Sequence, residues 1–191
     1  MNKCKLFKIA YGFIRFLPAD FAEKWRSAFY RGIGLRIGAN VRLAVGSLID
    51  VWDKDIWLNI GDNVFVGENS VISGGVEIGR DSSINSNVSI IASRPSRIRI
   101  GVDCLIGQNV VIRADDHRFE TRAQPIKNQG KVGGDIAIGD DCWLGANAII
   151  LKGVSLEAHS VVGAGAVVTK NFPAYSVVVG NPAKLLKTRG Q

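Results

Sequence analysis

An aliphatic residue returns at every sixth position along most of this chain. Four runs keep the register: Ile37, Leu43 and Ile49; Ile60, Val66, Ile72, Ile78, Ile84 and Ile90; Ile100, Ile106 and Ile112; and Ile138, Leu144, Ile150, Leu156, Val162 and Val168. Four places after the aliphatic the residue is small, one of Val, Ser, Ala or Cys, in fourteen of the eighteen units. The exceptions are Asp53, Arg94, Asp116 and Phe172, and each falls in the last unit of its run. Gly follows the aliphatic directly in nine of the eighteen units, which reads as sharp turns between short strands. A helix repeats near 3.6 residues and a half-buried strand at two, so neither gives a period of six. A solenoid of short parallel strands does. The aliphatic points inward, the small residue fits a tight corner, and three hexads close one triangular coil. Eighteen units predict about six coils, each burying its face on the next. Cys104 and Cys142 fall in the small slot and read as buried core thiols.

The register breaks three times, and loops or irregular coil edges are expected there. The first break, between Ile49 and Ile60, is short, and the second, near Arg94-Pro95-Ser96, adds four residues. The third, a protruding loop at about 113–136, is long for a compact domain, and long ordered loops are usually functional. One of only two histidines, His117, sits where this loop leaves the coil, within Ala114-Asp115-Asp116-His117-Arg118. A neutral imidazole beside a carboxylate such as Asp116 is a natural general base near pH 7. The other, His159, lies mid-hexad and is expected to face solvent in a structural role.

With 191 residues, 47% of them apolar, the chain has material for one packed domain. Its net charge of +7 would suggest nucleic acid until it is located. Residues 1–36 hold 8 Lys/Arg against 2 Asp/Glu, whereas 37–191 hold 16 against 15. The body is nearly neutral, which argues against a nucleic-acid surface. Three domains of organisation follow: a basic helical segment over 1–36, the solenoid over 37–180, and a tail over 181–191.

In the first segment Leu6, Ile9, Ala10, Phe13, Phe16 and Leu17 recur at helical spacing over 3–17. Pro18 ends that helix, and Asp20 is placed to start a second through Phe21, Trp25, Ala28 and Phe29. The pair either caps the open end of the solenoid or lies, through residues 1–17, on a membrane surface, and the two readings are compatible. No run of 18 apolar residues predicts a transmembrane span. In the tail, Asn181-Pro182 reads as the N-cap and first turn of a short C-terminal helix carrying Lys184, Lys187 and Arg189, either solvated or holding a phosphate-bearing ligand. Three widely spaced cysteines argue against a disulfide framework and for a reducing, cytoplasmic compartment.

The hexads, the Asp116-His117 loop, Ile138-Gly139-Asp140-Asp141-Cys142-Trp143-Leu144-Gly145-Ala146, Val162-Gly163-Ala164-Gly165-Ala166-Val167-Val168-Thr169-Lys170 and Gly180-Asn181-Pro182-Ala183 together resemble the hexapeptide-repeat acyltransferases. The likeness runs over roughly 37–186, toward the maltose and galactoside O-acetyltransferase branch and its relatives in bacterial surface-polysaccharide synthesis. It implies a left-handed parallel β-helix, a homotrimer with active sites between subunits, acetyl-CoA as co-substrate and a saccharide acceptor. It implies a general base at His117, with Asp116 beside it in the acceptor site. A tunnel-edge tryptophan is implied at Trp143, and backbone contacts to the pantetheine arm at Gly145, Ala146 and Ala164. Thr169 and Lys170 match a pair near the nucleotide phosphate, and Asn181, Pro182 and Lys184 extend the same coenzyme site. Asn85 matches the asparagine that holds the sugar, with a turn-forming role as the alternative.

Two departures bear on the acceptor. The aspartate that often follows that asparagine is absent, with Ala92 and Ser93 nearby, and the usual N-terminal motif of the cytosolic sugar-acetylating enzymes has no counterpart. The carbonic anhydrases that share this solenoid hold zinc with three histidines, and this chain has two, so no metal is expected. P-loop, Rossmann and G-x-S-x-G signatures are missing as well. The expected reaction is direct acetyl transfer to a saccharide hydroxyl. N-acetylation of an amino sugar, and a non-catalytic solenoid acting in assembly, remain as alternatives.

Overall fold

Every aliphatic of the hexad register points inward. In the computed structural model, which describes residues 12, 14–17, 21–50 and 57–190, all eighteen are buried, none more than 7% exposed. The fourteen small residues four places on are buried too, Cys104 and Cys142 among them. Parallel pairing stacks the hexads into three faces of a β-solenoid. Ile37, Ile60, Ile78, Ile100, Ile138 and Leu156 align on the first face. Leu43, Val66, Ile84, Ile106, Leu144, Val162 and Val178 align on the second. Ile49, Ile72, Ile90, Ile112, Ile150 and Val168 align on the third.

The corners work differently from the turn reading of the glycines. The left-handed backbone falls three places after the aliphatic, at Asn63, Asn69, Asp81, Asn87, Asp103, Asn109, Asp141, Asn147 and His159, with φ between 51° and 64°. Asn and Asp tolerate that region better than other L-residues, because their short side chains bond locally. The glycines directly after the aliphatic do not have positive φ. They are there because coils stack so closely: a Cβ on Gly145 would come within 2.6 Å of the Ala164 nitrogen.

All three breaks follow a third-face hexad and so emerge at one edge of the prism, between the third and first faces. Of the first, residues 51–56 lie outside the described set. The second is a bulge rather than a loop: the strand Ser89–Ile100 runs through it, and four residues slip in where Gly74 pairs with Ala92 and Gly75 with Arg97. The third is an antiparallel hairpin, Asp115–His117 against Lys131–Gly133, with a 3-10 turn at Ile126–Asn128 toward its tip.

At the N-terminal end the helix Phe21–Gly32 lies over the first coil and buries Ala22 and Tyr30. The Tyr30 hydroxyl accepts from Ile49 N (3.0 Å), and buried Arg26 donates to the Leu43 and Leu17 carbonyls. The helix thus covers the first coil, but through Ala22, Arg26 and Tyr30, whereas Trp25 and Ala28 of the expected apolar set are exposed. Of the expected helix over 3–17, only Gly12, Ile14 and Arg15 are described as helical; the rest, and Asp20, lie outside the described residues.

At the other end the expected C-terminal helix is not formed. Residues Lys184–Thr188 make a strand that reverses onto Ser176–Val179. The last coil would otherwise leave a row of unpaired N–H and C=O groups, and satisfying an open sheet edge outweighs a local capping signal. Asn181 and Pro182 therefore sit in a tight turn, and Ala183 is buried against the final coil, its N–H bonded to the Val167 carbonyl.

Candidate functional site

The predicted residues fall into two groups on two different edges of the prism. One group surrounds a groove of about 490 Å³ along the second face and its corner with the third. Asn85, Trp143, Gly145, Ala146 and Ala164 line it, with Leu105, Gln108 and Val161. Strand alternation puts Leu105 and Trp143 on the outer surface, paired in register, and Trp143 is 54% exposed. Together they give the groove an apolar wall.

Its other wall is backbone. At another corner, aspartates of the next coil accept the N–H two places after the aliphatic: Ala39 N bonds to Asp62 Oδ1 (2.7 Å) and Val102 N to Asp140 Oδ1 (2.8 Å). At the groove the equivalent residues are Ala146 and Ala164, which bring no acceptor. Earlier on the same corner Ser86 N donates to Asn85 Oδ1 (2.9 Å), the turn-forming role given as the alternative for Asn85. Among the described residues no hydrogen bond is made by the Ala146 or Ala164 N–H, whereas Gly145 and Gly165 beside them donate to Val162 and Ala146. The corner thus offers donors in a row to an extended ligand with carbonyl acceptors. Asn181, Pro182 and Lys184 continue this edge at the last coil, where Val167 N bonds to the Gly180 carbonyl.

The second group lies at the edge where the breaks emerge. Asp116 and His117 are on the hairpin, with His117 exposed and in register with Lys131. Thr169 and Lys170 follow Val168 at the same edge and are exposed, with the Lys170 ammonium 5.6 Å from the Phe172 ring. The hairpin is fastened at two points. Asp115, only 3% exposed, meets Lys131 at 2.8 Å and Arg113 at 3.3 Å, and accepts from Ser93 of the bulge at 3.1 Å. Burial alone would push the Asp115 carboxyl up, but Lys131, Ser93 and Arg113 together hold it below the usual carboxylate range. The other fastening is Asp116 to Lys152 of the next coil, at 2.6 Å.

His117 is not among the residues lining the groove. Between the two groups lies one full side of the triangle, roughly 15–20 Å at the rise of a strand. The sequence reading found members of both groups but missed Lys152, Lys131 and Arg113 as fasteners. The partners of Lys131 and Lys152 are remote in sequence, and Arg113, two places before Asp115, carries no local mark of its contact. Asp116, expected beside the base in the acceptor site, is engaged by Lys152.

His159 is half-buried in the corner column, its ring stacked on Tyr175 (4.6 Å) and Nδ1 3.0 Å from Asp141 Oδ2. His159 and then Arg189 hold the Asp141 carboxyl below its ordinary value. Desolvation pushes the Cys104 thiol up, and the Cys142 thiol up to about 11, which makes both poor nucleophiles. Among the described residues no group of three His, Cys, Asp or Glu side chains is placed to hold a metal.

Comparison with known proteins adds independent findings. The family described as "Bacterial transferase hexapeptide (six repeats)" matches residues 59–92, and "Hexapeptide repeat of succinyl-transferase" matches 135–170. The chain is 33% identical over 179 residues to a "Probable acetyltransferase" of Mycobacterium tuberculosis, covering 92% of this chain and 55% of that protein. It is 30% identical over 136 residues to the galactoside O-acetyltransferase of Escherichia coli, covering 70% of this chain and 65% of that one. It thus spans between half and two thirds of the length of these relatives. The solved structure of a maltose O-acetyltransferase from Clostridium difficile 630 superposes with a TM-score of 0.65 at 25% identity, over 98% of this chain and 86% of that one.

Proposed function

We propose that the chain, as a member of the hexapeptide-repeat acetyltransferases, transfers an acetyl group from acetyl-CoA to a hydroxyl of a saccharide. The acceptor is proposed to belong to surface-polysaccharide synthesis, as the sequence resemblance implies. Relatives named for galactoside and maltose O-acetylation support a sugar hydroxyl as the acceptor.

One observation carries the mechanism: the groove and His117 stand on different edges of one prism. A single copy does not bring them together, whereas two copies packed side by side bring the groove edge of one against the hairpin edge of the next. The same packing would cover the third face, whose outward residues Leu48, Val71, Val111, Ile149 and Val167 are only half-buried in one copy. Closed rings are the usual outcome when one surface meets a different one, and a homotrimer is the ring that suits a three-sided prism.

In this arrangement the pantetheine arm of acetyl-CoA lies in the groove along Gly145 and Ala146 beside Trp143, an amide carbonyl facing the open N–H of Ala164. Thr169 and Lys170, at the hairpin edge, supply a hydroxyl and a positive point charge for a phosphate of the coenzyme. The acceptor hydroxyl, held near Asn85, donates to the neighbouring copy's imidazole at His117. It loses its proton there as its oxygen attacks the thioester carbonyl. The carbonyl oxygen becomes an oxyanion and accepts from the open Ala146 N–H beside Gly145. The imidazolium then protonates the departing thiolate, which restores the base and leaves no covalent enzyme intermediate.

Thiol release from acetyl-CoA across a panel of saccharides, with mass spectrometry of the product, tests this reading. His117→Ala is expected to keep coenzyme binding and to lower turnover by roughly 10²–10⁴-fold. Near-native turnover by that variant would remove His117 from the mechanism.

A further inference from the structure

We infer that the N-terminal end of the prism docks onto an anionic lipid bilayer. The helix Phe21–Gly32 turns its buried side to the first coil, and its outer side carries Lys24, Trp25, Ala28 and Arg31, all exposed. The short segment before it adds to the same end, because Arg26 donates to the Leu17 carbonyl and Arg15 to the Gly46 carbonyl (2.7 Å). Large apolar side chains are exposed across this end: Phe16 at 60%, Trp25 at 63%, Ile33 at 43% and Leu17 at 38%. The Arg15 guanidinium lies 5.1 Å over the Phe16 ring, so cation and apolar surface are interleaved.

Charge selects the occupant. Residues 1–36 carry eight basic side chains and two acidic ones, and the described acid, Glu23, faces Arg42 at 3.8 Å. Lys3, Lys5 and Lys8 lie upstream of the described part. A nucleic acid would use the cations but leave Trp25, Ile33 and Leu17 without a role. An anionic bilayer uses both, with the cations at the headgroups and the aromatic and aliphatic groups at the acyl boundary. Among the described residues no helix is long and apolar enough to cross a membrane, so the contact is peripheral.

The experiment is co-sedimentation of the full chain with vesicles of phosphatidylcholine and phosphatidylglycerol, against phosphatidylcholine alone. Binding is expected to the anionic vesicles only and to fall as salt is raised. Removing residues 1–10 takes away three lysines and is expected to weaken binding on the order of 100-fold, at about fivefold per cation. Trp25→Ser with Ile33→Ser, both at exposed positions, is expected to weaken it roughly tenfold or more with the melting temperature retained. Failure of the full chain to bind at low salt would overturn the proposal, as would equal binding to neutral vesicles. Full binding by the folded double variant, or a protein partner on this end without vesicle binding, would overturn it too.

Discussion

Gly145 shows at a single residue how closely the coils stack beside the groove. A methyl group there would press on the Ala164 backbone, which cannot swing aside as a flexible side chain can. Gly145→Ala is therefore expected to cost roughly 1–3 kcal/mol, as overpacking does, and to narrow the groove as well. Thermal unfolding and coenzyme affinity should both move. Asn109 stands at the left-handed corner position, φ 59°, so Asn109→Ala should cost about 1–2 kcal/mol while Asn109→Gly should be nearly neutral. The small slot gives a third expectation. Cys104 and Cys142, buried with raised thiol pKa values, should resist alkylation at pH 8 until the protein is unfolded, as peptide mapping would read. At this scale the inward aliphatic and the small slot were legible, because burial selects residue type strongly. The reason for the glycines was not: a stacking distance between coils leaves the same mark on a sequence as a positive φ. His159 occupies a corner that Asn or Asp fills elsewhere, and its type gave no sign of that.

The hairpin Asp115–Gly133 is the element whose position depends most on charge. Asp115 is held ionised beneath it by Lys131, Ser93 and Arg113. Because its folded pKa is depressed, its contribution is present above the unfolded value, about 3.9, and is lost as pH falls through the folded one. Protection from hydrogen exchange in residues 115–133, relative to the unfolded chain at the same pH, should thus hold from pH 7 to 5 and fall below about pH 4, ahead of the coil strands. Asp115→Asn should loosen the hairpin at neutral pH, by roughly 1–3 kcal/mol, with the solenoid intact. Uniform exchange throughout the chain in that variant would mean the hairpin is not separately anchored. The existence of this element was legible from the broken register, but not its form, since both fastenings join residues far apart in sequence. The C-terminal strand teaches the same lesson. Asn181-Pro182 carries a genuine local capping signal, and the open edge of Ser176–Val179, invisible to local pattern, decides against it.

For the whole molecule, a period of six sufficed to give the solenoid, its three faces and its coil count. Placing the three breaks after third-face hexads also follows from counting, and it puts the hairpin on one edge and the groove on another. Which residues share a site does not follow, because that depends on how copies pack. The central claim is that one active site draws His117 from one copy and the groove from its neighbour, and mixing two inactive proteins tests it. His117→Ala lacks the base. Ala164→Asp fills the groove corner as Asp140 fills another, accepting from Ala146 N–H, so it should fold and yet exclude the coenzyme arm. Each alone should be inactive. Unfolded together in equal amounts and reassembled, they should regain about a quarter of native turnover, since one interface in four pairs an intact base with an intact groove. If the mixture assembles normally and stays inactive, base and groove do not come from different copies, and the account is wrong.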